Sequence, residues 1–376
     1  MRLSFAGLLT FVACAPPDGV DPGTEPGTPP APADPPDDNP SFVDLSPQLA
    51  ALVQSSGAPA LAGAIVDADG LYALGAAGVR RADRTDRVTP QDRWHLGSDT
   101  KAMTGALVAT FVDEGQVSFD STLPELFPDA TIDPGWSSVT LRDLLRHRAG
   151  VGDIPEDTWE AWWIGGDVEA LRRAYVEETL AAAPPAEIGS YVYSNGGYVI
   201  AGAALEALTG ESWEALLQRR VFTPLGMTGC GFGAPGTGHP EGHDASGIPV
   251  LGGDNPPTLG PAGTVHCTLQ SWARFAHANA VGPGGGAPLL EPETWTALHD
   301  APLDDYALGW NVTSRDWAGG TVLHHVGSNR LWFAWAWVAP ETERAYLAVT
   351  NSGNPDHLAQ AVDAAIATLI DLDLRR

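Results

Sequence analysis

The sequence has little positive charge. Its 376 residues include 20 Lys and Arg against 47 Asp and Glu, which gives a formal net charge of −27 at pH 7, and no run of basic residues is longer than two. A chain of this kind repels phosphate backbones and anionic lipid headgroups. We therefore expect no nucleic-acid partner.

Several common catalytic signatures are absent as well. The sequence has no G-x-S-x-G motif, no H-E-x-x-H motif and no pair of C-x-x-C motifs, which are the usual signals of α/β-hydrolases, zinc proteases and zinc ribbons. One acidic and histidine-containing group lies in a Gly/Pro-rich loop, where no helix would set the spacing of metal ligands: His239, Glu241, His243 and Asp244. We expect no bound metal.

Cysteine is scarce, and the first of the three cysteines ends the N-terminal segment MRLSFAGLLTFVAC. One Arg followed by an apolar run is typical of a signal peptide. The apolar run is too short to span a membrane as a mature helix. Residues 11–14 resemble a bacterial lipobox, in which the cysteine becomes the lipidated N-terminus. We expect a signal peptide over residues 1–13 and lipidation of Cys14, with simple secretory cleavage near Ala13 or Ala15 as the alternative.

The segment behind Cys14 is rich in proline. Residues 15–40 contain ten prolines, six acidic residues and no basic residue, a composition that cannot bury a core and favours an extended chain. At about 3.1 Å per residue it would reach up to about 80 Å. We predict a tether over 14–41 that holds a folded domain over 42–376 on a membrane lipid anchor, facing the periplasm or the cell exterior.

The two remaining cysteines are Cys230 and Cys267. An exported protein folds in a compartment that permits disulfides, so an even pair favours a bridge. Buried free thiols are the alternative.

Periodic hydrophobic patterns predict an α/β (α+β) fold. A helix over 46–55 and a hairpin over 59–78 open the domain, and the pattern after Gly97 predicts a helix that Ser98 begins. Residues from about 120 to 300 are mostly helical, whereas four β-rich runs over 306–352 precede a final helix near 357–369. We expect an antiparallel sheet built from both chain ends, flanked by helices and interrupted by a helical inserted subdomain.

Ser98 and Lys101 carry the strongest chemical signal. A serine hydroxyl is a poor nucleophile until a base takes its proton, and residues three apart on a helix share one face. The chain has 19 arginines and a single lysine, Lys101. Because arginine cannot release its proton and so cannot act as a base, the exception has a chemical reason.

Two further motifs follow in order. Tyr193, Ser194 and Asn195 form a YxN triplet before a predicted helix, and His325, Val326 and Gly327 form an HxG triplet on a predicted strand. Taken singly, a Tyr beside an Asn is ordinarily a turn and a His on a strand is ordinarily a packed core residue. Their order behind the SxxK motif favours a catalytic set.

With these motifs the sequence resembles the serine β-lactamase and penicillin-binding-protein superfamily, in its class C-like branch of esterases, D-aminopeptidases and carboxypeptidases. The resemblance covers residues 42–372 and includes the blocks WHLGSDTKAMTGALVATFVDEGQVSFDSTLPELFPD, VTLRDLLRHRAGV, YSNGGYVIAGAALEALTG, VFTPLGMTGCGF, PAGTVHCTLQSWARF and YALGWNV.

The resemblance implies a role for each matched residue. Ser98 would be the acylated nucleophile, Lys101 and Tyr193 would share the proton transfers, and Asn195 would orient substrate and lysine. His325 stands where other members have Lys or His, the backbone amides of Ser98 and Ser328 would form the oxyanion hole, and Gly327 would let substrate approach the strand. No cofactor is implied.

The sequence departs from the family pattern at substrate-recognition positions. His325-Val326-Gly327 replaces Lys-Thr-Gly, so the cation and the hydroxyl that help to bind a substrate carboxylate are both missing. Arg330 is a candidate replacement for the lost charge, and Ala149 replaces a Ser of the family's HxSG motif beside a structural His147. Three tryptophans could line an acyl pocket or simply pack: Trp159, Trp162 and Trp163.

We therefore interpret the chain as a monomeric serine hydrolase that acts on a small-molecule or peptide ester or amide, of esterase or D-amino-acid peptidase type. The machinery is shared with β-lactamases and D-Ala-D-Ala carboxypeptidases, which remain alternatives. An alternative from another class is an inactive, lipid-anchored binding protein of the same fold.

Overall fold

The computed structural model describes residues 43–376. The predicted signal peptide, Cys14 and the predicted tether lie outside the described residues. Within the described part of the chain, no helix is long and apolar enough to cross a membrane.

A seven-stranded sheet is the frame of the domain, with strand order β1-β3-β2-β12-β11-β10-β9. It is antiparallel except at one edge, where β1 pairs in parallel with β3. The first three strands come from the N-terminal end of the domain and the last four from its C-terminal end, as the sequence predicts. The strands are β1 Val43–Asp44, β2 Ala60–Asp67, β3 Gly70–Gly78, β4 Arg93–His95, β5 Gly231–Phe232, β6 Gly242–His243, β7 Pro249–Val250, β8 Val265–Thr268, β9 Asn311–Arg315, β10 Gly320–Ser328, β11 Phe333–Ala339 and β12 Arg344–Thr350.

Helices cover both faces of this sheet and form most of the segment between its two halves. They are α1 Ser46–Ser56, α2 Thr100–Asp113, α3 Leu123–Leu126, α4 Leu141–Leu145, α5 Glu156–Ile164, α6 Val168–Ala181, α7 Asn195–Thr209, α8 Trp213–Leu217, α9 Gly260–Gly263, α10 Leu269–Val281, α11 Pro292–His299, α12 Pro355–His357 and α13 Ala364–Asp373. The inserted segment also contains the short strands β5 to β8.

The alternation of β11 shows how the sheet divides the core. Phe333, Trp335 and Trp337 pack into the cluster under α1 and α13, whereas Ala334 and Ala336 face the larger cluster that contains α2, α7 and α10. The large side chains are on the α1/α13 side and the small ones on the other. Small residues let helices approach the sheet closely on the face that carries the candidate site.

One predicted strand is wrong over its first five residues, 306–310. The sequence predicts a β-run over 306–312, but β9 begins only at Asn311. Gly309 adopts a φ of +110°, and a Cβ there would lie 2.6 Å from the Cα of Ala102 on α2. The chain therefore turns tightly against α2 before it enters the sheet, which directs Tyr306 into the interior.

A buried arginine holds the helical segment together. Arg172 on α6 is fully buried and contacts Glu206 on α7 at 2.6 Å and Glu214 on α8. It also donates to the carbonyls of Pro257 and Thr258. Removing one partner of such a buried cluster would leave an uncompensated charge, so Arg172 firmly joins α6 to the C-terminal part of α7, to α8 and to the segment just before α9.

The predicted disulfide between Cys230 and Cys267 is present. It joins the residue before β5 to β8, and β8 pairs with β4 through Cys267 and Trp94. Because β4 leads directly to Ser98, the bridge constrains the strand layer next to the candidate nucleophile.

We expect this bridge to stabilise the fold, because it closes a loop over a sequence separation of 37 residues. In the chain-entropy model such a loop contributes about 3–4 kcal/mol to the free energy of unfolding. Urea denaturation should show a clear fall of the unfolding midpoint when wild type is reduced with dithiothreitol. The Cys230→Ala/Cys267→Ala variant is the matched control, and dithiothreitol should leave its midpoint unchanged. An unchanged wild-type midpoint, with both thiols shown free by mass spectrometry, would contradict the expectation.

Candidate active site

The turn that carries Ser98 is set by a glycine. β4 ends at His95, Gly97 adopts a left-handed φ of +52°, and a single 3₁₀ turn over Gly97–Asp99 leads into α2. A side chain at position 97 would also collide with the backbone amide of Ser328. Glycine is therefore required both for the φ angle and for the close approach of β10. Ser98 itself is only partly buried and reaches the surface.

Lys101 lies in the first turn of a helix that is buried all round. Each residue of α2 from Thr100 to Phe111 is buried, as expected for a helix that is surrounded by protein. The side chain of Lys101 is 0% exposed. The spacing of three residues brings it to the same face as Ser98, as the sequence predicts.

Three oxygens surround Lys101 Nζ. Ser98 Oγ lies at 3.1 Å, Asn195 Oδ1 at 2.7 Å and the carbonyl oxygen of Ala262 at 2.8 Å. The last two oxygens can only accept hydrogen bonds, so they take two N–H groups of the lysine. A neutral amine has two N–H groups and one lone pair, and that lone pair is then directed at the Ser98 hydroxyl.

Burial also favours the neutral amine. It holds the pKa of Lys101 well below the ordinary value, since water no longer solvates the ammonium form, while the charge of Asp99 acts in the opposite direction. The same burial raises the pKa of Asp99 well above its usual range, opposed by Lys101. Both shifts favour a pair without charge over a buried ion pair.

After Lys101, the Tyr193 hydroxyl is the second group next to Ser98. It is hydrogen-bonded to Ser98, and Lys101 Nζ lies 4.9 Å from the centre of its ring. Burial raises its pKa, and the hydrogen bond with Ser98 partly offsets that increase. Tyr193 is therefore a protonated phenol at neutral pH.

The N-terminus of α7 positions Asn195. Ser194 is the N-cap, since its Oγ accepts from the amide of Gly197, and Asn195 is the first residue of the helix. The amide of Ser194 donates to Nδ1 of the buried His147, whose ring packs against that of Tyr193 with centroids 4.3 Å apart and the ring planes tilted by 37°. His147 thus holds the YxN loop, in agreement with the structural role expected for it.

The HxG triplet ends β10 beside the nucleophile turn. The structure corrects the reason for Gly327, because a Cβ there would collide with the Leu96 carbonyl and lie 2.6 Å from an Asp99 carboxylate oxygen. Glycine lets the strand pack against the turn that carries Ser98. A Cβ at position 327 would point at this turn and not into space for the substrate. The contact brings the backbone of Ser328 next to Gly97 and so next to Ser98.

His325 is turned towards the protein. Its side chain is buried, its Nε2 lies 2.9 Å from the hydroxyl of Tyr306, and burial lowers its pKa to about 3. It is neutral at physiological pH and supplies no cation to the site. Arg330, the candidate replacement, is exposed on the loop after Ser328.

The other sequence candidates have structural surroundings. Trp162 is buried against Tyr175, with ring centroids 5.3 Å apart, and Trp159 packs partly buried against the same core. His243 is held between the amide of Ala82 and the carbonyl of Asn351. Within residues 43–376, no group of His, Cys, Asp or Glu is arranged to hold a metal ion.

Sequence reasoning missed three contributors to the site. The Ala262 carbonyl has no sequence signal, because every residue carries one. Asp99 lies inside the SxxK motif, and its complete burial required the fold. Tyr306 was assigned to a strand, although it belongs to the turn that faces His325.

Several known proteins are similar to this chain in sequence. The sequence matches the β-lactamase family over residues 47–369. An unguisins hydrolase of Aspergillus campestris is 26% identical over 299 residues, which cover 72% of this chain and only 54% of that protein. Penicillin-binding protein 4 of Amycolatopsis lactamdurans is 28% identical over 316 residues, or 77% of this chain and 79% of that protein.

A solved structure agrees at the level of the fold. The class C β-lactamase from Rhodobacter sphaeroides superposes with a TM-score of 0.71 and 17% identity, over 88% of this chain and 100% of that chain. The family match spans nearly the whole described domain, including both halves of the sheet and the segment between them. The chain therefore belongs to the β-lactamase family of serine hydrolases.

Proposed function

We propose that the chain hydrolyses an ester or amide through an acyl-enzyme on Ser98, with Lys101 as the general base. The observation that carries this proposal is the surroundings of the only lysine. Lys101 is completely buried, two acceptor oxygens take its N–H groups, and its third neighbour is the Ser98 hydroxyl. This arrangement supports the amine in the form that accepts a proton.

In the proposed reaction, Ser98 Oγ attacks the substrate carbonyl carbon while Lys101 Nζ takes the hydroxyl proton. The resulting oxyanion is stabilised by the backbone amides of Ser98 and Ser328, and such donors contribute a few kcal/mol at the transition state. The proton then passes to the leaving oxygen or nitrogen as the bond to the acyl carbon breaks. Water attacks the ester carbonyl of the acyl-enzyme and the amine takes its proton. The bond between Ser98 Oγ and the acyl carbon then breaks, Oγ takes the proton back from the amine, and the acid product leaves.

Tyr193 relays the proton in this scheme. Its raised pKa makes it a weak acid that stays protonated, and a phenol can donate and accept at the same oxygen. The hydrogen bond to Ser98 places that oxygen at the start of the proton path. Lys101 then holds the proton, and Tyr193 transfers it to the leaving group.

The surroundings of His325 support an ester or a D-amino-acid peptide over a β-lactam. A cation and a hydroxyl would favour a substrate carboxylate, but His325 is neutral, buried and engaged with Tyr306, and Val326 has no hydroxyl. β-Lactam hydrolysis and D-Ala-D-Ala carboxypeptidase activity remain the alternatives, since one relative is a penicillin-binding protein. An inactive binding protein is disfavoured because the Ser-Lys-Tyr set is intact and in contact.

We also propose that the enzyme is an exported lipoprotein of the cell envelope. The sequence of residues 1–14 supports it, and so does the Pro-rich composition of 15–40.

The general-base role predicts that Lys101→Arg loses activity although a cation of similar reach is kept. Turnover should fall by about 10²–10⁴, typical of a lost general base, because arginine cannot release its proton. Tyr193→Phe should fall in the same way, since only the hydroxyl is removed. Turnover is measured on the best substrate of a panel of p-nitrophenyl esters, D-Ala-p-nitroanilide and nitrocefin.

Two controls make this test specific. Tyr191→Phe removes a phenol from an exposed residue of the same loop and should keep turnover within about threefold. A fluorophosphonate should add its mass to the Ser98 peptide of wild type and not to Ser98→Ala. If folded Lys101→Arg keeps more than about a tenth of wild-type turnover, Lys101 is not the base; if nitrocefin is the best substrate, the β-lactamase alternative is correct.

The lipid anchor predicts that wild type partitions into the detergent phase of a Triton X-114 extract of cells. Cys14→Ser removes the acylated thiol and should move the protein to the aqueous phase. The Cys230→Ala/Cys267→Ala variant is the matched control and should stay in the detergent phase. A mature N-terminus other than Cys14, found by mass spectrometry, would rule out lipidation and leave export open.

A further inference from the structure

A histidine behind the nucleophile turn forms a relay to an aspartate. His95 is completely buried at the end of β4, two residues before Gly97. Its Nδ1 accepts a hydrogen bond from the Gly97 amide at 3.0 Å, so the ring proton must be on Nε2. Nε2 then donates to Asp254 Oδ1 at 2.6 Å. The ring therefore ties the Gly97 backbone to Asp254, which lies 159 positions after His95 in the sequence.

The next residue along the chain holds the other half of the site. Asn255 Nδ2 donates to the carbonyl of Gly263 at 2.8 Å. Gly263 is the last residue of α9 and follows Ala262, whose carbonyl accepts from Lys101 Nζ. Asp254 thus contacts β4, which leads into the turn that carries Ser98, and Asn255 contacts α9, whose Ala262 carbonyl binds Lys101.

The backbone after this pair is rigid. Pro256 and Pro257 follow Asn255 directly, and a proline ring fixes φ near −65°. The Pro257 carbonyl is in turn held by the buried Arg172. The Asp254 side chain is 15% exposed, so most of it is enclosed by the protein.

We propose that Asp254 and Asn255 are positioning residues for acylation, which fix Ser98 and Lys101 relative to each other. Neither side chain is assigned a contact with substrate or with the reacting atoms. Asp254 acts through His95 on the left-handed Gly97 turn, and Asn255 acts through Gly263 on the acceptor of the lysine. This inference rests on the proposed Ser98–Lys101 reaction.

The expected effect follows from the geometry. Ser98 Oγ and Lys101 Nζ are 3.1 Å apart, and a displacement of about 1 Å in a reacting group can cost about 10²-fold in rate. Loss of the Asp254 carboxylate should therefore lower kcat and leave KM nearly unchanged, because the substrate surface is intact. Asp254→Asn keeps an oxygen that accepts from His95 and should restore most of the rate.

The test compares folded variants of the full chain. Asp254→Ala should lower kcat, and the rate of Ser98 labelling by a fluorophosphonate, by about 10- to 100-fold, with KM within about threefold. Asp254→Asn should stay within about fivefold of wild type. Asn255→Ala, which removes only the contact with Gly263, should lower both rates in the same manner. Asp129→Ala removes an exposed carboxylate elsewhere and should change neither.

The possible outcomes are distinct. If Asp254→Ala does not fold, Asn255→Ala decides the matter alone. Folded Asp254→Ala or Asn255→Ala with kcat within threefold of wild type overturns the proposal, and so does a loss that appears only in KM. Asp254→Asn as impaired as Asp254→Ala would also overturn it, since the retained acceptor should suffice. Failure of the proposed function would appear differently, as wild type that is not labelled at Ser98.

Discussion

The burial of Lys101 determines how the rest of the site is built. An ammonium group removed from water loses several kcal/mol of solvation, and the cost falls when the group gives up its proton. The remaining N–H groups must still be hydrogen-bonded, and here Asn195 and the Ala262 carbonyl accept them. The fold must therefore bring α2, the start of α7 and α9 to one point. The same burial that opposes stability favours the free amine that the proposed reaction needs.

Close backbone contacts make this convergence possible. Gly97 and Gly327 let the nucleophile turn and the end of β10 approach within the space that a Cβ would fill. A third glycine, Gly196, has the Tyr175 hydroxyl at the position that its Cβ would occupy. Gly97 and Gly196 directly flank a motif, and Gly327 is part of one. The motif segments therefore supply close backbone approach as well as functional groups, and a substitution to alanine at Gly97 or Gly327 would separate the elements that carry Ser98 and Ser328.

The sequence predicts the central pair well, because Ser98 and Lys101 are local to each other on one helix and lysine is otherwise absent. Asn195 was also predicted by its motif. The long-range contacts were not: the Ala262 carbonyl and the His95–Asp254 hydrogen bond join segments about 160 residues apart, and neither has a periodic or compositional signal. The sequence also predicts the wrong role for Gly327, which is substrate access. What a Cβ at this position would meet is known only once β10 is packed against the Ser98 turn. Tyr306 was misplaced because the turn at Gly309 depends on contact with α2.

Lys101 must be neutral at physiological pH to act as the base, and the composition of the chain allows a direct measurement of its protonation. Because Lys101 is the only lysine, protein grown with lysine labelled by ¹³C at the ε position gives one side-chain resonance, and Lys101→Arg should lack it. Following that resonance in a pH titration should show a single midpoint well below the ordinary lysine value of about 10.4, since burial disfavours the ammonium form. A midpoint at or above the ordinary value would show that Lys101 is a cation at neutral pH and would contradict its role as the base that activates Ser98.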